Sequence, residues 1–190
     1  MNRDPRRSDL PKPRLVLVTG LPGTGKSTAA EAIAGLLGAP VLAHDWAMSA
    51  LRPYPEVQSA LDRMPMGHRV VGWSILHALA RSQLRAGRSV ILDGVARADE
   101  VQTCREIARD ENTSIVVIAT HCSDPSLHRS RVEGRERLIP NWYELDWHHV
   151  ERSRATWEPA EDADLSLDAA SVWNDSLALV HGLLVGDDGA

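Results

Sequence analysis

The sequence predicts an α/β domain in which a five-stranded parallel sheet is sandwiched by helices. Three observations predict it. Five short apolar runs alternate with segments of helical periodicity, the pattern of βαβ units joined by right-handed crossovers. A glycine-rich stretch stands between the first run and the first helix, at the kind of strand end where open α/β sheets bind ligands. A length of 190 residues supports one core and leaves little room for a second domain.

The first run, residues 14–19 (RLVLVT), is apolar at both odd and even positions and suits a strand buried on both faces. Its successors are Pro40–Ala43, Ser89–Leu92, Ser114–Thr120 and Asp164–Leu167. The first helix is predicted over 26–37, where Ala29, Ile33, Leu36 and Leu37 share a face and Gly38 supplies the stop. A longer helix spans 69–86, with Val70, Trp73, Leu76, Leu79, Ala80 and Leu84 recurring ahead of Gly87. Further helices are predicted at 97–110, 126–137, 142–154 and 172–184. The segment 52–68 contains Pro53, Pro55, Pro65 and Gly67 and reads as a mobile insertion. Residues 1–13 read as a flexible arm, 14–185 as the single domain with a lid over 124–140, and 186–190 as a tail.

Composition narrows the function classes. At 43% hydrophobic and 25% charged the chain matches ordinary globular usage, which excludes collagen-like, disordered and disulfide-scaffold classes. The net charge is −5, and residues 1–14 carry five basic and two acidic groups, so the remainder carries −8. Such a body disfavours nonspecific nucleic-acid binding. Cys104 and Cys122 have no metal-ligand spacing and read as ordinary thiols of a reducing compartment. After the basic start only Leu15–Val18 are continuously apolar, shorter than the core of a signal peptide, and no run is long enough to span a membrane. A cytoplasmic protein with no membrane association and no obligate protein partner is expected.

Gly20-Leu21-Pro22-Gly23-Thr24-Gly25-Lys26-Ser27 matches G-x-x-x-x-G-K-[ST], and it lies between a predicted strand and a predicted helix, the context that gives the motif its meaning. Backbone N–H groups must converge on phosphate oxygens there, and glycines at 20, 23 and 25 permit the close approach. The following helix adds the positive end of its dipole. Lys26 is one of only two lysines among 21 basic residues and is placed to reach β- and γ-phosphates, with the Ser27 hydroxyl on Mg²⁺. Asp93 ends the apolar Val90-Ile91-Leu92 run and is the candidate second Mg²⁺ ligand, acting through water; the plainer reading is an aspartate at a strand-to-turn junction.

The stretch Gly20–Thr28, an aspartate just after the second strand, a strand ending Leu92-Asp93-Gly94 and a later segment with spaced arginines together resemble the small P-loop kinases. The nearest group is that of the polynucleotide kinases, zeta toxins and chloramphenicol phosphotransferases. The similarity runs in order of elements over residues 14–170, and the phosphate loop is its one specific motif. It implies a P-loop NTPase fold with an Arg-rich lid and the cofactors ATP and Mg²⁺, the nucleotide held by Gly20, Gly23, Thr24, Gly25, Lys26, Ser27 and Thr28. It implies Asp45 as the general base that receives the acceptor hydroxyl proton, with the N-cap of a short helix starting at Trp46 as the structural alternative. In the lid, Arg131 and Arg135 stand four apart, and the resemblance assigns Arg131 to nucleotide contact and Arg135 to the charge of the transferring phosphoryl, with Arg137 and Arg129 as substitutes. Glu133 and Glu136 leave a solvated, internally paired helix as the other reading, and Gly134 interrupts the spacing. The loop Asp168–Ser171 corresponds to part of the adenine site.

The acceptor side is then expected from residues 45–75 and 94–100, where Trp46, Arg52, Tyr54, His68, Arg69, Trp73 and Arg97 are available. The chain has six Trp and no Phe, and Trp142, Tyr143, Trp147 and Trp157 crowd the segment after the lid, either to stack on a flat ring or to pack. The expected activity is transfer of the ATP γ-phosphoryl to a hydroxyl of a small molecule such as a nucleoside, sugar or antibiotic. A 5′-hydroxyl polynucleotide kinase shares the catalytic residues but needs a basic groove, which the acidic body disfavours. A P-loop ATPase acting as a nucleotide-dependent switch is the reading from another class.

Overall fold

Register along one central strand sets the architecture. In the computed structural model, which describes residues 12–160 and 162–185, five strands form one parallel sheet. They are β1 (Arg14–Gly20), β2 (Val41–Ala43), β3 (Val90–Asp93), β4 (Ser114–His121) and β5 (Leu165–Asp168), in the spatial order β2-β3-β1-β4-β5. The chain leaves β1 toward one side to make β2 and β3, then crosses to the other for β4 and β5. The switch of direction falls at the C-terminal end of β1, where α/β sheets open a crevice. Leu15 pairs with Val90 and Val18 with Asp93, while Ala43 also pairs with Asp93 and Gly20 with Thr120. The phosphate loop, Asp93 and the residues after Ala43 therefore leave the same sheet edge.

Helices cover both faces. Leu15 and Leu17 of β1 face one layer with Leu76, Leu84 and Ile107, while Val16 and Val18 face the other with Ile33, Val180 and Leu184. Alternation with period two accounts for this division, and both sets being apolar is what a doubly covered parallel strand requires. The helices are α1 (Lys26–Leu37), α2 (His44–Ser49), α3 (Pro55–Arg63), α4 (Gly67–Arg85), α5 (Ala98–Asp110), α6 (Pro125–Glu133), α7 (Trp147–Arg154) and α8 (Trp173–Val185). Gly38 closes α1 in the left-handed conformation at φ 58°. Cys104 is buried, which pushes its thiol up to about 12, so it is packing material and not a nucleophile. Among the described residues no helix is long and apolar enough to cross a membrane.

Three expectations are corrected. The segment 52–68 is no mobile insertion: it contains α3, started by Pro55 at its first position, and Leu61 is buried. Proline there begins a helix because its missing N–H would have had no intrahelical partner. The helix expected over 126–137 stops at Glu133, with Gly134 as its C-cap, and residues 135–146 run without helix until Asp146 caps α7 by accepting from the His149 N–H at 2.7 Å. Arg131 and Arg135 thus do not share a helical face. The helix expected to begin at Trp46 begins at His44 with Ala43 at its N-cap, so Asp45 sits in the first turn and caps nothing. The expected arm up to residue 11 and the tail 186–190 lie outside the described residues.

Candidate active site

The phosphate loop is held open by its own backbone and by β4. Gly23 and Gly25 have φ of 84° and 86°, and an added Cβ at Gly23 would run into Val132 and His128. Thr24, expected among the nucleotide-binding residues, turns its hydroxyl inward to Leu21 O (2.7 Å) and the Thr120 hydroxyl (2.6 Å), bracing the loop. Gly20 packs so closely on β4 that a Cβ would overlap the Thr120 carbonyl oxygen, at a φ of 148° that side chains rarely adopt. Gly20→Ala is therefore expected to destabilise the fold by about 2 kcal/mol, lowering the melting temperature by roughly 4–8 °C. An unchanged melting curve would show that β1 and β4 can part to admit the methyl.

Lys26 Nζ donates to Leu21 O at 3.0 Å, folding the ammonium over the loop. Burial lowers its pKa, opposed by the Asp93 and Asp45 carboxylates and reinforced by Arg135 and Arg137. Ser27 Oγ donates to Asp93 Oδ2 at 2.8 Å. Asp93 is only 6% exposed; burial and the Asp45 charge push its carboxyl up, against the pull of Lys26 and the Ser27 hydrogen bond. A buried carboxylate beside a hydroxyl, short of compensating charge, is a pair of hard oxygen donors suited to Mg²⁺ completed by phosphate and water.

Asp45 stands on the opposite wall of the same cleft. Arg137 donates to its Oδ2, and the His44 ring nitrogen lies 3.7 Å from Oδ1. Burial pushes the Asp45 carboxyl up, but the contact with His44 and the charges of Arg137 and Lys26 outweigh it and hold the group below the ordinary carboxylate range.

These residues line one cleft of about 870 Å³. Beyond Asp45 it continues between α2 and the segment after α6, where Trp46, Arg52, Arg97, Trp142, Tyr143 and Trp157 form its walls. Trp142 stacks on Tyr143 at 4.9 Å, and the Arg52 guanidinium lies over both rings. Among the described residues the Arg97 side chain meets only a hydroxyl, Thr156 Oγ1 at 3.0 Å, whereas Arg69 is committed to Asp99 and Glu100 and is no free clamp. Trp73 is core, buried against Gly94 and 5.9 Å from the His44 ring. Tyr54 stays exposed and outside the cleft.

A second hollow of about 400 Å³ opens on the other side of the loop between Thr28, Arg131, Asp168, Ala169, Ser171 and Trp173. Arg135 lines both hollows and, among the described residues, has neither a hydrogen-bond nor an ion-pair partner. Arg129, the expected substitute, pairs with Glu133 at 2.8 Å on the exposed face of α6. Two functional contacts were not anticipated. His128 is buried, donates from Nε2 to Pro22 O at 2.7 Å and accepts at Nδ1 from Arg154 at 3.3 Å, which ties the phosphate loop to α7. Arg137, expected only as a substitute for Arg135, is the partner of Asp45. Neither has a local signature, since the partners are 106 and 92 positions apart.

Comparison with known proteins agrees with this architecture. A solved sugar kinase of Janibacter sp. HTCC2649 superposes with a TM-score of 0.66 at 18% identity, covering 92% of this chain and 95% of that one. The APS kinase of Mycobacterium tuberculosis, solved with AMPPNP and APS, superposes with a TM-score of 0.64 at 20% identity, covering 93% and 99%. At these identities the likeness establishes the fold, an α/β P-loop NTPase with the build of the small P-loop kinases. By sequence, an uncharacterized protein of Mycobacterium tuberculosis is 36% identical over 109 residues, 54% of this chain and 22% of that protein, so the chain spans about a fifth of that curated relative. The model of one family matches residues 15–160, which take in the phosphate loop, the cleft and the strands from β1 through β4, and the chain belongs to that AAA domain family.

Proposed function

We propose that this protein is an ATP-dependent phosphotransferase that moves the γ-phosphoryl group to a hydroxyl of a small-molecule acceptor. One observation carries the reading: the cleft that begins at the phosphate loop continues past Asp45 into an aromatic and arginine-walled compartment large enough for a second substrate. The solved kinases that share the fold support it.

In this reading the nucleotide base enters the hollow at Asp168–Ser171 beside Arg131, and its phosphates lie along Gly20–Thr28. Lys26 leaves the Leu21 carbonyl for the β- and γ-phosphates. Ser27 and Asp93 would hold Mg²⁺, which would supply positive charge against the phosphates. Arg135 stabilises the transferring phosphoryl, and Asp45 orients the acceptor hydroxyl and takes its proton late in a loose transfer. Positioning counts for more than basicity there, so a carboxylate held ionised is suited to the task.

The test is ADP release with ATP and Mg²⁺ against nucleosides, sugars, aminoglycosides, phenicols and 5′-hydroxyl oligonucleotides, beside a control without acceptor. A large increase with one class that Asp45→Asn abolishes is the expected result. Equal slow turnover with every compound and none would overturn the transfer reading in favour of a nucleotide-dependent switch.

A further inference from the structure

Two arginines two positions apart on the non-helical segment 135–146 stand in opposite situations. Arg135 is free of partners among the described residues and faces the phosphate side. Each of the three guanidinium nitrogens of Arg137 has a partner: it donates to Asp45 Oδ2, to Glu144 Oε2 from Nε at 3.1 Å and to the Tyr143 carbonyl at 2.8 Å, and its backbone N–H donates to Glu144 Oε1 at 2.9 Å. Its side chain is 12% exposed against 36% for Asp45. The proposed base is therefore capped by a cation built into the segment that closes the acceptor side, and the cap is anchored independently of Asp45.

We infer that Arg137 makes phosphoryl transfer wait for its acceptor, by occupying the Asp45 oxygen that would otherwise orient a water molecule toward the γ-phosphate. The inference rests on the phosphotransferase reading. In productive transfer the acceptor oxygen bonds to the γ-phosphorus as the bond to the β,γ-bridging oxygen breaks; ADP leaves with that electron pair and the acceptor proton passes to the Asp45 carboxylate. In wasteful hydrolysis water takes the acceptor's place atom for atom, yielding phosphate and ADP. Water is always present, so a base open to solvent would favour hydrolysis whenever ATP is bound. With Arg137 on Oδ2 and the His44 ring nitrogen 3.7 Å from Oδ1, a hydroxyl that takes Oδ2 must displace a charge-assisted hydrogen bond, which a molecule held by the aromatic walls can do with its own binding energy and a lone water cannot. Displacement leaves Arg137 on Glu144 and Tyr143, so the freed guanidinium is not stranded unpaired. Arg137 is thus a positioning residue acting through Asp45, distinct from Arg135, which acts on phosphate.

The experiment measures phosphate release from ATP and Mg²⁺ with no acceptor added, for the whole chain. Arg137→Ala is expected to raise it by about a hundredfold, the low end of what a positioned base contributes, and Asp45→Asn in the same chain is expected to remove the gain. Arg137→Lys, which keeps the cation but not the fork that also holds Glu144 and Tyr143, should raise phosphate release less than the alanine variant does. Arg137→Gln serves if the alanine variant does not fold, as judged by circular dichroism and fluorescent-ATP binding. Phosphate release that is unchanged or lower in variants that bind ATP overturns the inference, and so does a gain that persists without the Asp45 carboxylate. A gain that Asp45→Asn removes separates this role from a loosened cleft, which would admit water whether or not that carboxylate is present. Failure of the phosphotransferase reading shows differently, as no acceptor raising ADP release in the wild type.

Discussion

Asp45→Asn is expected to lower acceptor-dependent ADP release by about 10²–10⁴-fold while ATP binding stays at the wild-type level. The substitution keeps the size and shape of the side chain and removes its capacity to take a proton. Arg137 retains Glu144 and Tyr143, and Lys26, Ser27 and Asp93 are untouched, so the nucleotide side of the cleft is preserved. The direction of the Asp45 pKa adds a second readout. A carboxyl held below its ordinary value is ionised throughout the neutral range, so transfer should show no inflection from this group between about pH 5 and 8. A group depressed on folding stabilises the protein above its unfolded value and loses that contribution as pH falls through its folded one, so the Asp45–Arg137 pair begins to fail only below about pH 4. Transfer by Asp45→Asn at wild-type rate would remove this residue from the reaction and leave the pair with Arg137 as a structural contact.

The parts of the protein that were legible in its sequence are those fixed by neighbours in the chain. Helix α1 runs from Lys26 to Leu37 as its periodicity predicts, because Gly25 and Gly38 bracket it in left-handed conformations that few other residues accept. The five apolar runs became the five strands, and β1, β3 and β4 at the centre of the sheet are apolar at odd and even positions, as a doubly covered parallel strand requires. Spacing misled where it met a breaker. Arg131 and Arg135 are four apart, but Gly134 between them ends α6, so the last turn of the helix expected over 126–137 does not form. Proline misled in the other direction at Pro55, where it starts α3. The contacts that organise the cleft were out of reach altogether. Arg137 meets Asp45 and His128 meets Pro22 across about half the chain, and a lone arginine or histidine carries no mark of a partner so distant.

Arg135→Ala is expected to have the larger effect on the chemical step, about 10³-fold or more on the rate of transfer, in the range of an arginine that stabilises phosphoryl charge. Its surroundings explain why. Burial lowers the pKa of the guanidinium, as does the neighbouring Arg137, while Asp45, Glu144 and Asp93 oppose the shift from a distance without pairing. A half-buried cation with no partner among the described residues lines both hollows, where the proposed reading brings the negative charge of the γ-phosphate. The strongest compensation comes when that charge spreads over the equatorial oxygens of the transferring group, so the loss should fall on kcat more than on KM. Arg135→Lys keeps a charge but not a planar fork and is expected to recover only part of the rate. Arg131→Ala serves as the contrast, because that side chain is exposed on α6 and borders only the nucleotide hollow, and it should raise the KM for ATP with kcat near wild type. Measured with one acceptor at saturation, a kcat loss at Arg131 and not at Arg135 would reverse the two roles, and equal small losses at both would mean that Lys26 and Mg²⁺ stabilise the transferring phosphoryl without help from this segment.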